Sequence, residues 1–215
     1  MMYKACLFDL DGVLVDTAIY HFQAWKNLGK QFGYELTEEQ NEQLKGVSRV
    51  ESLNKILDWA NYSATQEQKS GWLIEKNEDY LRLISNMNPS EILPGVLDFL
   101  QQIKDLGYKI ALGSASKNAE IILEKTGLMP WFDLIIDGNK VSKSKPDPEV
   151  FLKGAEGLGF AAETCIVFED AQAGVEAAKA GNMKAIGIGE AETLSLADKI
   201  IPNFVGVKAA ELLQF

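Results

Sequence analysis

Histidine and cysteine are scarce in this sequence, which has one histidine and two cysteines among 215 residues. Cys6 and Cys165 each lie within an apolar run typical of a buried strand, which argues against a disulfide framework and favours a reducing compartment. No apolar run approaches the roughly 18 residues of a membrane-spanning helix. We therefore expect a soluble protein that stays in the cytoplasm.

Positive charge is also in short supply. Lys and Arg number 21 against 31 Asp and Glu, which leaves a formal net charge of −10. A chain with this excess of negative charge repels nucleic acid and anionic lipid. Any phosphate that it binds must therefore be held by a local cluster of donors. We expect a monomer that binds small molecules and has neither a nucleic-acid nor a membrane partner.

Short apolar runs bounded by turn residues alternate with helical patterns along most of the chain. This alternation favours an α/β fold, in which helices cover both faces of a parallel sheet. Apolar spacing and glycine stops predict helices at 96–106 and 171–180. The predicted strands are 4–8, 109–112, 134–136, 165–168 and 184–188.

The segment from about residue 15 to residue 88 breaks this alternation and carries no strand pattern. Apolar stripes at helical spacing run through 19–32, 50–60 and 73–84. Proline and glycine near residues 89–95 mark a return to the first pattern. We therefore predict a helical domain of residues 15–92 inserted into an α/β core of residues 1–14 and 93–215.

Acidic residues follow two of the predicted strands. Asp9 and Asp11 end the first strand, and Glu169 and Asp170 end the run 165–168. If these strands are neighbours, four acids converge where open α/β sheets bind ligands. At ~4 Å and an effective dielectric near 20, each like-charge pair costs on the order of 4 kcal/mol, so the cluster needs a cation or shifted pKa values. Oxygen ligands without nearby His or Cys favour Mg²⁺, although either pair alone could be a helix cap or a solvated turn.

Two further segments carry groups that suit phosphate. The segment 114–118 follows a strand and opens a helix, so its hydroxyls and backbone N–H groups can bind phosphate oxygens. Ser116 could equally be an ordinary helix cap. Lys145 precedes Pro146, which favours an extended conformation that projects the ammonium group into the crevice. On its own, Lys145 would more often be a solvated lysine.

The order of these motifs resembles the haloacid dehalogenase (HAD) superfamily of aspartyl phosphotransferases. The resemblance rests on Asp9-Leu10-Asp11-Gly12-Val13, Ser114, Lys145-Pro146 and Glu169-Asp170. It implies a HAD-like, Rossmann-like parallel sheet core with an inserted α-helical cap, and a phosphate ester formed on Asp9. It also implies Asp11 as general acid and base, catalytic duties for Ser114 and Lys145, and Mg²⁺ held by Asp9, Asp11, Glu169 and Asp170.

Within that superfamily, residues 16–21, 44–49, Ser52 and Lys76 resemble the β-phosphoglucomutase family. The resemblance implies that Thr17, His21 and Lys76 position Asp11 when the cap closes, although His21 could also be a helix-face histidine without a catalytic role. It implies that Arg49 and the backbone of Gly46 and Val47 hold the phosphate that is not transferred. The implied substrate-binding set is Gly46, Val47, Arg49, Ser52, Lys76, Ala115, Ser116, Lys117 and Asn118.

The implied reaction interconverts β-D-glucose 1-phosphate and D-glucose 6-phosphate, with β-glucose 1,6-bisphosphate as primer and intermediate. A sugar-phosphate phosphatase would use the same acids and Mg²⁺ but would let water attack the phospho-enzyme. A catalytically inactive phosphosugar-binding protein would lack a nucleophile or a metal-binding acid, and none is missing. The sequence departs from the family at Ala171, where a hydroxyl-bearing residue is frequent, and at Gly113, where alanine is common.

Overall fold

The computed structural model describes residues 3–44 and 47–215. Six parallel strands form one sheet in the order β3-β2-β1-β4-β5-β6. The direction of winding reverses between β1 and β4, and ligands of open α/β sheets bind at such a reversal. The strands are β1 (Ala5–Phe8), β2 (Lys109–Gly113), β3 (Leu134–Ile136), β4 (Cys165–Glu169), β5 (Lys184–Ile188) and β6 (Lys199–Ile201).

The α/β fold class predicted from the sequence is confirmed. All five predicted strands are present within a residue or two of their predicted ends. Strand β6 was not predicted, because its three residues are only partly buried and so give no clear apolar run. It pairs with β5 and extends the sheet by one strand at the edge.

Helices cover both faces of the sheet, and each face has its own apolar cluster. Phe8 and Phe168 point to one face, and Leu7 and Val167 point to the other. This division follows from the alternation of side chains along a strand. No helix in the described part of the chain combines the length and apolar character needed to cross a bilayer. The helices around the sheet are α5 (Val96–Asp105), α6 (Ala119–Thr126), α7 (Glu149–Gly157), α8 (Gln172–Ala180) and α9 (Ala209–Leu212).

In the described part of the chain, four α-helices lie between β1 and α5. Three of them, α1 (Ala18–Gly29), α3 (Arg49–Trp59) and α4 (Gln66–Ile84), match the three predicted apolar stripes. The short helix α2 (Glu38–Glu42) was not predicted, because its five residues are all polar. The four helices and the loops between them enclose a separate apolar cluster of Trp25, Leu28, Leu36, Leu44, Leu53, Ile56 and Leu57.

The chain enters and leaves this helical segment through two adjacent crossings. The backbone N–H of Leu93 donates to the carbonyl of Leu14 over 2.9 Å, and Val15 forms an isolated bridge with Ile92. The two crossings therefore lie side by side, next to the carboxyl end of β1. This geometry puts the helical segment above the edge of the sheet where Asp9 lies.

Candidate active site

The acidic centre lies where β1 and β4 end side by side. Phe8 is in register with Phe168, so the residues that follow, Asp9 and Glu169, become neighbours. The backbone N–H of Asp9 donates to the carbonyl of Phe168 over 3.0 Å. Carboxylate oxygens of Asp9, Glu169 and Asp170 lie within 4.8 Å of one another. Three acids at this spacing offer an all-oxygen donor set for a divalent cation.

Lys145 neutralises part of this centre. Its Nζ lies 2.6 Å from Oδ1 of Asp9 and also donates to Oε1 of Glu169, and its side chain is 1% exposed. Burial alone would lower the pKa of Lys145, but the two carboxylates outweigh burial and hold that pKa above its ordinary value. Burial likewise raises the pKa of Glu169, with Lys145 opposing the change. The ring of Phe151 lies 4.9 Å from Nζ and excludes water beneath it.

Two glycines allow the chain to close around the acids. Gly12 has a φ of +75°, and a Cβ on it would lie 2.0 Å from Oδ2 of Asp170. A Cβ on Gly174, in the first turn of α8, would lie 1.9 Å from the carboxyl carbon of Glu169. The absence of a side chain at Gly174 therefore lets the Glu169 carboxylate lie buried against α8.

We expect Gly174→Ala to destabilise the protein by about 1–3 kcal/mol, because the new methyl group overpacks a rigid site. The measurement is urea-induced unfolding. Gly71→Ala is the matched control: Gly71 is also within a helix, but a Cβ there meets nothing within 4 Å. The control should be stabilised by about 0.5–1 kcal/mol. Equal changes in both variants would contradict the close approach at Gly174.

Asp11 lies beside Asp9 but faces the helical segment. Its Oδ1 is fully buried and finds no hydrogen-bond partner among the described residues. The pKa of Asp11 is raised to about 7, mainly by burial and next by the neighbouring Asp9. The Oγ1 of Thr17 is likewise buried without a partner in the described part of the chain. Asp11 Oδ1 and Thr17 Oγ1 are thus two buried polar atoms between α1 and the sheet that have no hydrogen-bond partner among the described residues.

Lys76 of α4 is the second buried lysine of the site, with 2% exposure. Its Nζ lies 2.8 Å from Nδ1 of His21, and the rings of Trp25 and Tyr80 are 4.7 and 4.6 Å away. The pKa of Lys76 is lowered to about 7, mainly by burial and next by the nearby Arg49. Burial and Lys76 together hold the pKa of His21 well below its usual range. Trp25 is 3% exposed and packs in the apolar cluster of the helical segment.

The depressed pKa of Lys76 gives a prediction for stability against pH. Below about pH 7 the folded protein must carry the buried ammonium group of Lys76. In the unfolded chain Lys76 keeps its ordinary pKa, so between pH 7 and 10 the unfolded state binds more protons than the folded state. Stability due to this group therefore rises with pH over that window. Lys76→Met should stabilise the protein by about 2–4 kcal/mol near pH 6. The gain should fade toward pH 10 in urea unfolding.

Lys125→Met serves as the control for this titration, because Lys125 lies exposed near the end of α6. We expect its effect on the free energy of unfolding to be small and independent of pH. A stabilisation by Lys76→Met that stays constant from pH 6 to pH 10 would contradict the lowered pKa of Lys76.

The segment 114–118 follows β2 and is fixed by hydrogen bonds within and beyond itself. Ser114 Oγ accepts from the N–H of Ser116 at 3.1 Å, and Ser116 Oγ accepts from the N–H of Asn118 at 3.2 Å. Asn118, not Ser116, is the N-cap of α6. At Gly113 a Cβ would lie 2.8 Å from the ring of Phe151, so the departure from alanine at this position accommodates the ring under Lys145.

One cavity of about 780 Å³ opens between the helical segment and the sheet edge. Thr17 and Glu169 are fully buried and do not line it. Gly46 lies outside the described residues. The cavity is lined by these predicted site residues: Asp9, Asp11, His21, Val47, Arg49, Ser52, Lys76, Ser114, Ala115, Ser116, Lys117, Asn118, Lys145 and Asp170.

Sequence reasoning missed other residues that line the cavity. Asn41 is 9% exposed and comes from the short helix α2, which carries no apolar pattern. Gly138 and 141–144 come from the loop after β3. The position of this loop at the carboxyl end of a predicted strand was a signal that could have identified it, since such loops form the binding crevice of an α/β sheet.

Comparisons with known proteins cover nearly the whole chain. A family model described as haloacid dehalogenase-like hydrolase matches residues 3–182. A β-phosphoglucomutase of Bacillus subtilis (strain 168) is 41% identical over 200 residues, or 92% of this chain and 88% of that protein. A phosphorylated carbohydrates phosphatase of Thermotoga maritima is 31% identical over 185 residues, or 85% and 83% of the two chains.

Among solved structures, the crystal structure of a β-phosphoglucomutase from Clostridium difficile is similar with a TM-score of 0.94 and 41% sequence identity. The match covers 98% of this chain and 96% of that one. The similarity therefore includes both the six-stranded sheet and the helices that lie between β1 and α5.

Proposed function

The chain belongs to the haloacid dehalogenase-like hydrolase family, and from this premise we propose that it is an Mg²⁺-dependent phosphomutase. Its reaction is the interconversion of β-D-glucose 1-phosphate and D-glucose 6-phosphate. The observation that carries the proposal is the position of Asp9, a strand-end carboxylate bound to a buried ammonium group at the base of one cavity. The similarity to the Bacillus subtilis enzyme supports the choice of substrate.

Asp9 is the nucleophile in this proposal. Between turnovers it carries a phosphoryl group as an acyl phosphate, which it passes to the C6 hydroxyl of β-glucose 1-phosphate to give β-glucose 1,6-bisphosphate. The bisphosphate then turns around, and the Asp9 carboxylate attacks the phosphorus at C1, so that glucose 6-phosphate leaves and the phospho-enzyme is restored. A carboxylate can do this when nearby cations offset the charge of the phosphate and hold it in line. Lys145, 2.6 Å from Asp9, supplies one such cation.

Asp11 is the general acid and base. It takes the proton of the C6 hydroxyl in the first transfer and returns a proton to the C1 oxygen in the second, so that protons balance over the cycle. Its buried Oδ1, which has no hydrogen-bond partner among the described residues, supports this role, since that atom keeps a free hydrogen-bonding site. In this proposal Thr17, His21 and Lys76 position Asp11 when the cap closes, and the bond between Lys76 and His21 joins two of the three. Ser114, fully buried at the end of β2, holds the transferred phosphate with Lys145.

Mg²⁺ fits the acidic centre, because Asp9, Glu169 and Asp170 offer only carboxylate oxygens within 4.8 Å of one another. When bound, the ion offsets charge on the transferred phosphate and on the Asp9 carboxylate. The family resemblance of the sequence motifs implied Asp11 as a fourth residue that binds the ion. Its side chain is not part of the cluster formed by the other three.

The second phosphate of the bisphosphate lies at the other end of the cavity. Arg49 is the first residue of α3 and suits bidentate contact with phosphate. Ser116, Lys117 and Asn118 approach from the sheet side. In the proposal the backbone of Gly46 and Val47 holds this phosphate together with Arg49. Ser52 and Ala115 line the space for the sugar ring. Residues 15–92 act as a cap that excludes water from the phospho-enzyme until the sugar has turned around.

The mutase and phosphatase proposals are separated by their products. The assay uses β-glucose 1-phosphate with Mg²⁺ and a trace of β-glucose 1,6-bisphosphate, and couples glucose 6-phosphate to a dehydrogenase. We expect continued formation of glucose 6-phosphate, and an amount of free phosphate no greater than the trace of bisphosphate that was added. Free phosphate released in step with glucose would instead establish the phosphatase. Cytoplasmic location and a monomeric state remain predictions, which fractionation and light scattering can test.

A further inference from the structure

A hydrogen bond joins the helical segment directly to residues 114–118, which we call the phosphate-binding loop. Nδ2 of Asn118 donates to Oδ1 of Asn77 over 2.9 Å. Asn77 is on α4, immediately after Lys76, and Asn118 is the N-cap of α6. The bond therefore joins the helical segment to the core next to the cavity that Asn118 lines, and neither the sequence motifs nor the proposed mechanism assigned a role to Asn77.

Among the described residues, the bonds that hold the backbone of the phosphate-binding loop come from the core. The N–H of Gly138 donates to the carbonyl of Ser116 at 3.1 Å, and Nδ2 of Asn139 donates to the carbonyl of Lys117 at 2.9 Å. The side chain of Asn118 is different. Asn118 as a whole is 8% exposed and lines the cavity. Its side-chain amide bonds only Asn77 among the described residues.

This bond determines which end of the Asn118 amide faces the ligand. An asparagine amide presents two N–H donors from its nitrogen and an acceptor from its oxygen. Phosphate needs donors, and an amide turned by half a rotation would direct its oxygen at the anion. Because Oδ1 of Asn77 accepts one N–H of Asn118, the bond selects one orientation of the Asn118 amide, and the second N–H of that nitrogen is left for a further acceptor such as phosphate.

We propose that Asn77 is a positioning residue that acts through Asn118 to orient its amide toward the phosphate that is not transferred. The inference rests on the proposed function, because that phosphate belongs to the proposed substrate. It also gives α4 two adjacent contacts at the site. Lys76 bonds His21 of α1 within the helical segment, and the next residue, Asn77, bonds Asn118 of the core.

A double-mutant cycle on ligand binding tests the inference. Asp9→Asn serves as the parent, because it keeps the ligand unreacted. Asn77→Ala, Asn118→Ala and the double variant are made in this parent, and β-glucose 1,6-bisphosphate binding is measured by calorimetry with Mg²⁺. Each single variant should weaken binding about three- to tenfold, as expected for one neutral hydrogen bond. The double variant should bind no more weakly than Asn118→Ala, because Asn77 acts only through Asn118.

Glu78→Ala is the matched control, since Glu78 is the next residue on α4 and is exposed. In the active Asp9 background, Asn77→Ala should raise the KM for β-glucose 1-phosphate by a similar factor and leave kcat within about twofold, as loss of uniform binding requires. Unchanged bisphosphate binding by Asn77→Ala would overturn the inference. So would a double variant whose loss equals the product of the two single losses.

Failure of the proposed function leaves a different signature. Calorimetry reads binding without turnover, so a wild-type chain that makes no glucose 6-phosphate would end the mutase proposal and leave the cycle readable. A parent that does not bind the bisphosphate at all would overturn both proposals.

Discussion

Replacing Asp9 with asparagine should lower the rate of glucose 6-phosphate formation by at least about 10⁴-fold. The reason is that the amide cannot form the acyl phosphate through which the reaction passes. The side chain keeps its size, so the fold should persist. Lys145 also retains Glu169 as a partner. The measurement is the coupled assay with saturating primer, together with circular dichroism to establish folding.

Asp98→Asn is the control for this substitution. Asp98 is exposed in the first turn of α5, away from the acidic centre, and its replacement should change the rate by less than a factor of about two. A folded Asp9→Asn protein that retained even a hundredth of the wild-type rate would contradict the nucleophilic role of Asp9.

Removing the buried ammonium group of Lys145 should have the largest effect on stability. Lys145→Ala leaves Asp9 and Glu169 without their common cation, and removal of one partner from a buried ion pair costs about 3–5 kcal/mol. We also expect the rate to fall at least about 10²-fold, since an electrostatic contact with the transferred phosphate is lost. Urea unfolding in EDTA measures the first effect, and added Mg²⁺ should restore part of the stability.

Lys109→Ala is a matched control for Lys145→Ala, because both lysines bond an aspartate at the same 2.6 Å separation. Lys109 and Asp133 are 55% and 31% exposed, and an exposed pair contributes about 0–1 kcal/mol. Comparable losses in the two variants would show that burial of the Lys145 cluster has no special electrostatic consequence. Stability of Lys145→Ala that is insensitive to Mg²⁺ would count against an ion at this centre.

The acidic centre could be predicted from the sequence because its geometry follows from strand ends. Asp9 comes directly after an apolar run, and Glu169 ends a second one. Parallel neighbours in register then bring both carboxylates to one edge. What the sequence could not supply was the neighbour relation itself. The motif order supplied it through resemblance to a family.

The burial of Lys76 could not be predicted from the sequence. Helix α4 is rich in charged residues, and a lysine in such a helix is ordinarily solvated. Its position between the rings of Trp25 and Tyr80 depends on how α1 packs against α4, which is a tertiary feature. The position of Asn41 at the cavity and that of Asn77 beside Asn118 could not be predicted for a similar reason, since a single amide on a polar helix gives no periodic signal.

Elements without a strong apolar pattern were also missed. Helix α2 depends on a capping box at Thr37, where the side chains of Thr37 and Gln40 bond each other's backbone N–H. Strand β6 depends on an edge position beside β5. In both cases local capping or pairing, not burial, stabilises the element. A sequence interpretation based on apolar periodicity is therefore weakest at such places.

Trapping the phospho-enzyme would show whether phosphate is bonded covalently to Asp9. The wild-type protein is mixed with radiolabelled β-glucose 1,6-bisphosphate and Mg²⁺, quenched in acid within one turnover, and digested for peptide mapping. We expect label on the peptide that contains Asp9, sensitive to hydroxylamine as an acyl phosphate must be. Turnover with no covalently bound phosphate, or with label on a different residue, would refute the nucleophilic role of Asp9.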